Sequence, residues 1–255
     1  PGTVLVAVTY SWSDDRVLTI SYSGVTDRPT PLNLTNHSYF NLDPGQPPID
    51  HHKISITADF ITEFKNNQYT VVAGSTWKED EALLVNYINT TSSEDEKFII
   101  APHNINAKEI ELLKKSIQKK VVLFSEREGK NLSEYDVFIA DTIGILTKIY
   151  AAANVAYVGG GLTKNGVHNV LEPATFGVPI VIGPAYKKYK EVVDLVALNG
   201  CKVIVNQKEF STIFTKLKSD KDNREQLGNI NQNFIKEHIG ATDTILKFIN
   251  QKLNS

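Results

Sequence analysis

The segment Val155-Ala-Tyr-Val-Gly-Gly-Gly161 is a short apolar run directly before three glycines, which is typical of a buried strand that ends in a tight loop. Similar apolar runs recur along residues 69–205, with helically spaced segments between them. Strands that alternate with helices favour a parallel sheet covered by helices on both faces. The predicted strands are Tyr69–Ala73, Phe98–Ala101, Val121–Phe124, Val137–Ala140, Val155–Val158, Ile180–Ile182 and Lys202–Val205. The sequence therefore predicts an α/β domain.

Helical spacing is clearest between the second and third of these runs. Ile110, Leu113 and Ile117 recur at positions that share one face of a helix. The predicted helices are Glu79–Ile88, Ala107–Gln118, Tyr189–Leu198 and three stretches after Glu209.

The composition excludes several classes of protein. The 255 residues carry 27 basic and 29 acidic side chains, which argues against a dedicated nucleic-acid surface. Cys201 is the only cysteine, so an intrachain disulfide is excluded. No apolar run approaches 18 residues, and the sequence therefore predicts no transmembrane helix. The sequence contains no Met, and we expect Pro1 not to be a native start.

The first 63 residues form a different kind of polypeptide. They hold three basic side chains, seven acidic ones and six of the ten prolines. Thr3–Tyr10 is rich in β-branched residues, and Arg16–Tyr22 alternates between polar and apolar. The polar Ser13–Asp15 between them predicts a hairpin turn, and Lys53–Ala58 alternates again. We therefore expect two domains, a short antiparallel β segment over residues 1–63 and the α/β domain over residues 64–255.

Ligands of parallel sheets bind beyond the carboxyl ends of the strands, so the post-strand loops are the candidate sites. In the first loop, Gly74–Glu81, Ser75 can bind an oxyanion, or Ser75 or Thr76 simply caps the following helix. In the second loop, His103 of Ala101-Pro-His103 can donate to a phosphate or stack on a base. A surface histidine without a role is an equally good interpretation.

Two further loops carry candidate groups. The N–H groups of Gly144–Leu146 are natural phosphate donors if Asp141 or Thr142 begins a helix there, although a capped helix needs no ligand. The glycines at 159–161 are followed by Lys164, where a dinucleotide fingerprint would need Gly, and no Walker Lys-Ser/Thr pair follows. Glu172 at a helix start can accept from a ribose diol, or can stabilise that helix end alone.

The loop motifs carry a specific resemblance over residues 64–255. Gly74-Ser-Thr-Trp, Ala101-Pro-His, Asp141-Thr-Ile-Gly and Gly166-Val-His-Asn-Val-Leu-Glu-Pro173 resemble the carboxy-terminal half of 3-deoxy-D-manno-octulosonic acid (Kdo) transferases. The resemblance implies a Rossmann-like parallel sheet, the second domain of a B-type glycosyltransferase. It also implies that CMP-Kdo is the donor and lipid A precursor the acceptor in lipopolysaccharide biosynthesis, with no cofactor and no metal. Many members of that family have Arg at the position of His103.

The resemblance assigns the donor-binding residues by position. They are Ser75, Pro102, His103, Gly144, Ile145, Leu146, His168, Asn169, Val170, Leu171 and Glu172. The catalytic base of the family is a Glu of its first domain, which nothing in residues 1–63 matches. The family acts at the inner, cytoplasmic face of the bacterial inner membrane, and its membrane association belongs to the amino-terminal half.

Residues 1–62 resemble a second family, the aldose 1-epimerases (galactose mutarotases). Asn33-Leu-Thr-Asn-His-Ser-Tyr-Phe-Asn-Leu42 is the specific motif, and Asp50–Asp59 continues it. The resemblance implies part of a β-sandwich in which His37 is the general acid. The second His and the Glu base of that family have no counterpart motif here. Without the family, a structural role for His37 is the commoner case, as is a loop rather than a metal site for His51-His52.

Together the two resemblances predict a chimera joined near Thr62–Phe64. Its leading function is that of a Kdo transferase donor-binding domain, incomplete as a catalyst. A mutarotase acting through His37 and a non-catalytic nucleotide-binding module are the alternatives.

Overall fold

The computed structural model describes residues 2–14, 18–28, 59–238 and 240. The chain divides into two compact units, Pro1–Ile56 and Thr57–Ser255. The predicted strand Lys53–Ala58 and the motif containing His37 lie outside the described residues, as do His51 and His52.

In the first unit, two strands pair as an antiparallel hairpin. Strand β1 (Val4–Trp12) runs against β2 (Leu18–Thr26), and Val8 lies opposite Tyr22. The predicted hairpin is therefore confirmed. Alternation places Val8 and Tyr22 on one face, yet 45% and 38% of their surfaces remain exposed. These two strands bury little of the apolar face that their sequences encode.

The second unit contains a seven-stranded parallel sheet, as predicted. Its strands are β3 (Tyr69–Thr76), β4 (Glu96–Pro102), β5 (Val121–Leu123), β6 (Val137–Ile139), β7 (Val155–Val158), β8 (Ile180–Ile182) and β9 (Cys201–Val203). They lie side by side in the order β5-β6-β4-β3-β7-β8-β9, and every neighbouring pair is parallel.

Helices precede, separate and follow most strands of this sheet. They are α1 (Asp59–Lys65), α2 (Lys78–Thr90), α3 (Ala107–Ser116), α4 (Leu146–Tyr150), α5 (Leu171–Thr175), α6 (Lys190–Ala197), α7 (Gln207–Ser219) and α8 (Lys221–Glu237). Two of the three stretches predicted after Glu209 are α7 and α8, and the third falls outside the described part of the chain. Within that part, no helix combines the length and the apolar character that crossing a membrane requires.

Apolar cores cover both faces of the sheet. Val72, Ile99 and Phe138 belong to one core, whereas Val71 and Phe98 belong to the other, and all five are fully buried. Burial on both faces explains why the strands read as continuous apolar runs rather than as alternating ones.

Helix α1 spans the predicted domain boundary between residues 63 and 64. Phe60 and Phe64 pack on Phe138, with ring centroids 5.7 and 5.5 Å apart. The backbone N–H of Leu132 donates to the Glu63 carboxylate at 2.7 Å. These contacts tie α1 to the second unit. The position at which the two resembling regions of the chain are joined stays a prediction.

We predict that the β1–β2 amides exchange with solvent much faster than the amides of β3, β4 and β7. A two-stranded hairpin is marginally stable alone, whereas the central strands lie between two apolar cores. Hydrogen-exchange mass spectrometry of the monomeric chain measures both regions at once. Strong protection across residues 4–24 in the monomer would contradict the prediction.

Candidate functional site

The candidate site lies where the chain reverses its direction across the sheet. The chain passes from β3 to β4 on one side and later crosses from β6 to β7, which lies on the other side of β3. A crevice forms beyond the carboxyl ends of strands at such a switch point. The loops after β3, β4, β6 and β7 all meet at this edge because the strands are parallel. The four candidate loops are thus on one edge.

Glycine at position 159 allows the first and last of these loops to approach each other. The Gly159 N–H donates to the Gly74 carbonyl at 2.9 Å, and a Cβ on Gly159 would lie 2.3 Å from the Ser75 carbonyl oxygen. Ser75 itself has φ of +53°, in the left-handed region that non-glycine residues rarely adopt. Such backbone strain occurs most often at functional sites.

Three aromatic rings gather at the mouth of the crevice. Trp77 stacks on His103 with centroids 4.7 Å apart, and His103 stacks on His168 at 4.4 Å. The indole Nε1–H of Trp77 donates to Nε2 of His168 at 2.9 Å. The loops after β3, β4 and β7 each contribute one ring, so the fold unites residues that are up to 91 positions apart.

A buried carboxylate holds these loops together from below. Asp80 has no exposed surface and accepts from the Tyr157 hydroxyl at 2.6 Å. It also accepts from the backbone N–H groups of Gly160 at 2.8 Å and Trp77 at 2.9 Å. Burial raises the pKa of Asp80, and the three hydrogen bonds oppose that shift. The side chain thus ties the loop after β3 to the glycine-rich loop after β7.

Burial also affects the pKa of His168. It lowers the pKa of the imidazole, as does the neighbouring His103, whereas Asp80 raises it. The neutral imidazole is therefore the favoured form at neutral pH.

The third and fourth candidate loops meet through Glu172. Its carboxylate accepts from Nδ2 of Asn169 at 3.1 Å and from the hydroxyl of Thr147 at 3.3 Å. Thr147 lies in α4, and Glu172 lies in the first turn of α5. The N–H groups of Gly144–Leu146 have no acceptor among the described residues. Free backbone donors and one carboxylate are therefore adjacent.

A cavity of about 270 Å³ adjoins the aromatic rings on the side of α2 and α3. Its lining includes Trp77, Pro102, Glu81 and Glu109. Burial raises the pKa of Glu81, which accepts from the Thr76 hydroxyl. In the described ranges, no group of three His, Cys, Asp or Glu side chains could hold a metal ion.

Two predicted helix caps are wrong. The residue before α2 is Trp77 rather than Ser75 or Thr76, since strand β3 continues to Thr76. Neither Asp141 nor Thr142 caps α4, which begins after Ile145. Asp141 instead accepts from the backbone N–H and the hydroxyl of Ser125, at 2.9 and 2.5 Å.

Sequence reasoning missed the roles of Trp77, Asp80 and Tyr157. In the sequence, Asp80 belongs to the predicted helix Glu79–Ile88 and Tyr157 to the predicted strand Val155–Val158, and neither pattern indicates a polar role. One signal was available for Trp77, because a large aromatic residue in a polar loop after a buried strand needs a partner. The other two contacts depend on the pairing of β3 with β7, which one sequence does not reveal.

The second unit resembles known Kdo transferases in sequence and in fold. The chain is 34% identical over 127 residues to the 3-deoxy-D-manno-octulosonic acid transferase of Aquifex aeolicus, covering 49% of this chain and 34% of that protein. The C-terminal CMP-Kdo binding domain of WaaA from Acinetobacter baumannii superposes with a TM-score of 0.60 at 24% identity. The superposition covers 69% of this chain and 98% of that domain. The unit therefore has the fold of the second domain of a B-type glycosyltransferase, and the chain spans about a third of the transferase.

The family model for aldose 1-epimerase matches residues 1–139, and the chain belongs to this family. A relative from Escherichia coli, named aldose 1-epimerase, is 44% identical over 59 residues, which are 23% of this chain and 17% of that protein. The family match extends beyond the hairpin as far as β6 of the parallel sheet. Both predicted resemblances are thereby confirmed.

We predict that Asp80→Asn destabilises the second unit by about 2 kcal/mol. The neutral amide oxygen bonds the Trp77 and Gly160 N–H groups more weakly than a carboxylate does, and the amide NH2 can no longer accept from the Tyr157 hydroxyl. Chemical denaturation followed by circular dichroism measures the change. Glu79→Gln, on the exposed side of the same helical turn, is the matched control and should be neutral. Equal stability of the two variants would show that the hydrogen bonds of Asp80 do not stabilise the second unit.

Proposed function

We propose that the second unit binds CMP-Kdo as the donor-binding half of a Kdo transferase in lipopolysaccharide biosynthesis. The observation that carries this proposal is the convergence of the loops at Ser75, His103, Gly144 and Asn169 on one edge of a sheet. The relatives and the superposed domain support the same ligand class, since their names specify Kdo transfer and CMP-Kdo binding.

Each part of a CMP group has a candidate partner at this edge. The open N–H groups of Gly144, Ile145 and Leu146 lie just before and at the start of α4, and successive unpaired backbone donors of this kind can bind a phosphate. Pro102 lines the cavity and His103 is one of the three aromatic rings beside it, where a flat base can stack. We assign Ser75 and His168 to the donor as well, since the Ser75 carbonyl lies against Gly159 and the His168 ring lies against Gly160.

The ribose falls to the segment Asn169–Glu172. The Glu172 carboxylate is half-buried and lies beside the Asn169 amide, an arrangement that suits a vicinal diol. Val170 is buried and Leu171 begins α5, so we assign these two residues to the wall of the site through their backbone.

Transfer itself requires groups beyond this unit. The resemblance places the catalytic base in the first domain of the transferase, whereas residues 1–63 lie within the aldose 1-epimerase match. We therefore expect this chain to bind the donor but to transfer Kdo to lipid A precursor very slowly or not at all. An association with the inner face of the bacterial inner membrane, through the amino-terminal half of the transferase family, belongs to the same proposal.

We predict weak CMP binding that Glu172→Ala reduces about tenfold, because hydrogen bonds from the ribose to a carboxylate contribute about 1.5 kcal/mol. Isothermal titration calorimetry of the full chain measures both affinities. Glu225→Ala, in an exposed ion pair of α8, is the control and should bind like the unaltered chain. No CMP binding by a chain whose fold is verified would refute the proposed function.

The second candidate function is aldose 1-epimerase activity through His37, which the family match favours. General acid catalysis by His37 needs a second His and a Glu base, and the sequence lacks their motifs. We predict that fresh α-galactose mutarotates at its uncatalysed rate in the presence of the chain, as measured by polarimetry. A rate that rises with protein concentration and falls in His37→Asn would instead establish the epimerase function.

A further inference from the structure

The hydrogen bond between Trp77 and His168 determines where the imidazole proton resides. An indole N–H can only donate, so the nitrogen that receives it carries no proton. Nε2 of His168 is that nitrogen, 2.9 Å from Nε1 of Trp77. A neutral His168 must therefore carry its proton on Nδ1.

The Nδ1 edge of His168 has no partner among the described residues, in contrast to the opposite edge. A Cβ on Gly160 would lie 2.8 Å from Cδ2 and 3.2 Å from Nε2, so the Cδ2–Nε2 edge packs on the glycine-rich loop. The ring is half-buried and stacks on His103. One oriented N–H donor thus remains unpaired inside the candidate donor site.

We propose that Trp77 is a positioning residue that fixes His168 in the Nδ1–H tautomer, so that His168 presents a single N–H donor to an anionic oxygen of the nucleotide sugar. The ligand half of this inference rests on the proposed function. The tautomer half rests on the Trp77–His168 contact alone.

Both partners of this contact are held from several sides. Asp80 accepts from the Trp77 backbone N–H, and the His168 backbone N–H donates to the Gly159 carbonyl at 3.0 Å. Asp80 also accepts from the Gly160 N–H, which closes a circuit of hydrogen bonds around the crevice. The circuit therefore restrains the backbones that carry the indole and the imidazole.

The charges that face His168 agree with a neutral ring. Burial and His103 lower the pKa of His168, whereas the Asp80 carboxylate raises it. The Trp77 N–H acts in the same direction as burial, because a hydrogen bond to the unprotonated nitrogen disfavours the imidazolium form. Removing this N–H should therefore raise the pKa of His168.

The decisive experiment is a long-range proton–nitrogen NMR measurement of the histidine rings in the full chain at neutral pH. Trp77→Phe keeps a flat ring against His103 but removes the N–H, and Trp12→Phe removes the other tryptophan as a control. The His168 signals are assigned by their loss in His168→Gln. We expect Nδ1–H in the unaltered chain and in Trp12→Phe, and a shift toward Nε2–H together with a higher His168 pKa in Trp77→Phe.

The ligand half is tested by CMP-Kdo and CMP titrations of a matched pair of variants. The amide of Asn places an N–H near the position of Nδ1, whereas that of Gln reaches the position of Nε2. We expect His168→Asn to retain donor affinity within about threefold and His168→Gln to lose about tenfold, since one charge-assisted hydrogen bond is lost.

The possible outcomes separate the two proposals. A proton on Nε2 in the unaltered chain, or an unchanged tautomer in a folded Trp77→Phe, overturns the role of Trp77 whatever the CMP affinity. Equal donor affinity of the Asn and Gln variants overturns the ligand half. A chain that shows the Nδ1–H tautomer but binds neither CMP nor CMP-Kdo refutes the proposed function and leaves the role of Trp77 in place.

Discussion

The second unit depends on one buried carboxylate at the switch point of its sheet. Parallel strands leave their carboxyl ends open, and the two loops that flank the crevice are 80 residues apart in sequence. Asp80 joins them by accepting from Trp77, Gly160 and Tyr157 with no exposed surface of its own. Burying a carboxylate is costly unless its oxygens are satisfied, and here three donors surround it. The requirement to satisfy Asp80 therefore selects one arrangement of the crevice.

Sequence patterns predicted the sheet well, because both faces of its strands are buried. A strand such as β4 is buried on both faces, so its sequence does not alternate between polar and apolar as that of a half-exposed strand would. Helices α2 and α3 each separate two strands, which is typical of parallel connections. The carboxyl-edge loops followed from the topology alone. The position of Glu172 at a helix start was also predicted correctly.

The contacts inside the site were not predictable from local patterns. The caps of α2 and α4 were wrong because Thr76 remains in the strand and Asp141 binds a neighbouring loop instead of its own helix. The Trp77–His168 contact joins residues 91 positions apart, and only the pairing of β3 with β7 brings them together. Local sequence determines which residues can donate or accept, whereas strand order determines which of them meet.

The chemistry of the crevice follows from the kind of donors it contains. Its four loops have no Arg, Lys78 is paired with Glu109 at 2.7 Å, and Lys164 is exposed on the glycine-rich loop. Under the proposed function, the phosphate of the donor is therefore recognised mainly by backbone N–H groups and by the neutral His168. Such donors are directional and carry no net charge, so their geometry matters more than their number. A site of this kind needs rigid loops, and the circuit through Asp80, Trp77 and His168 supplies that rigidity where helix α5, with only five residues, cannot.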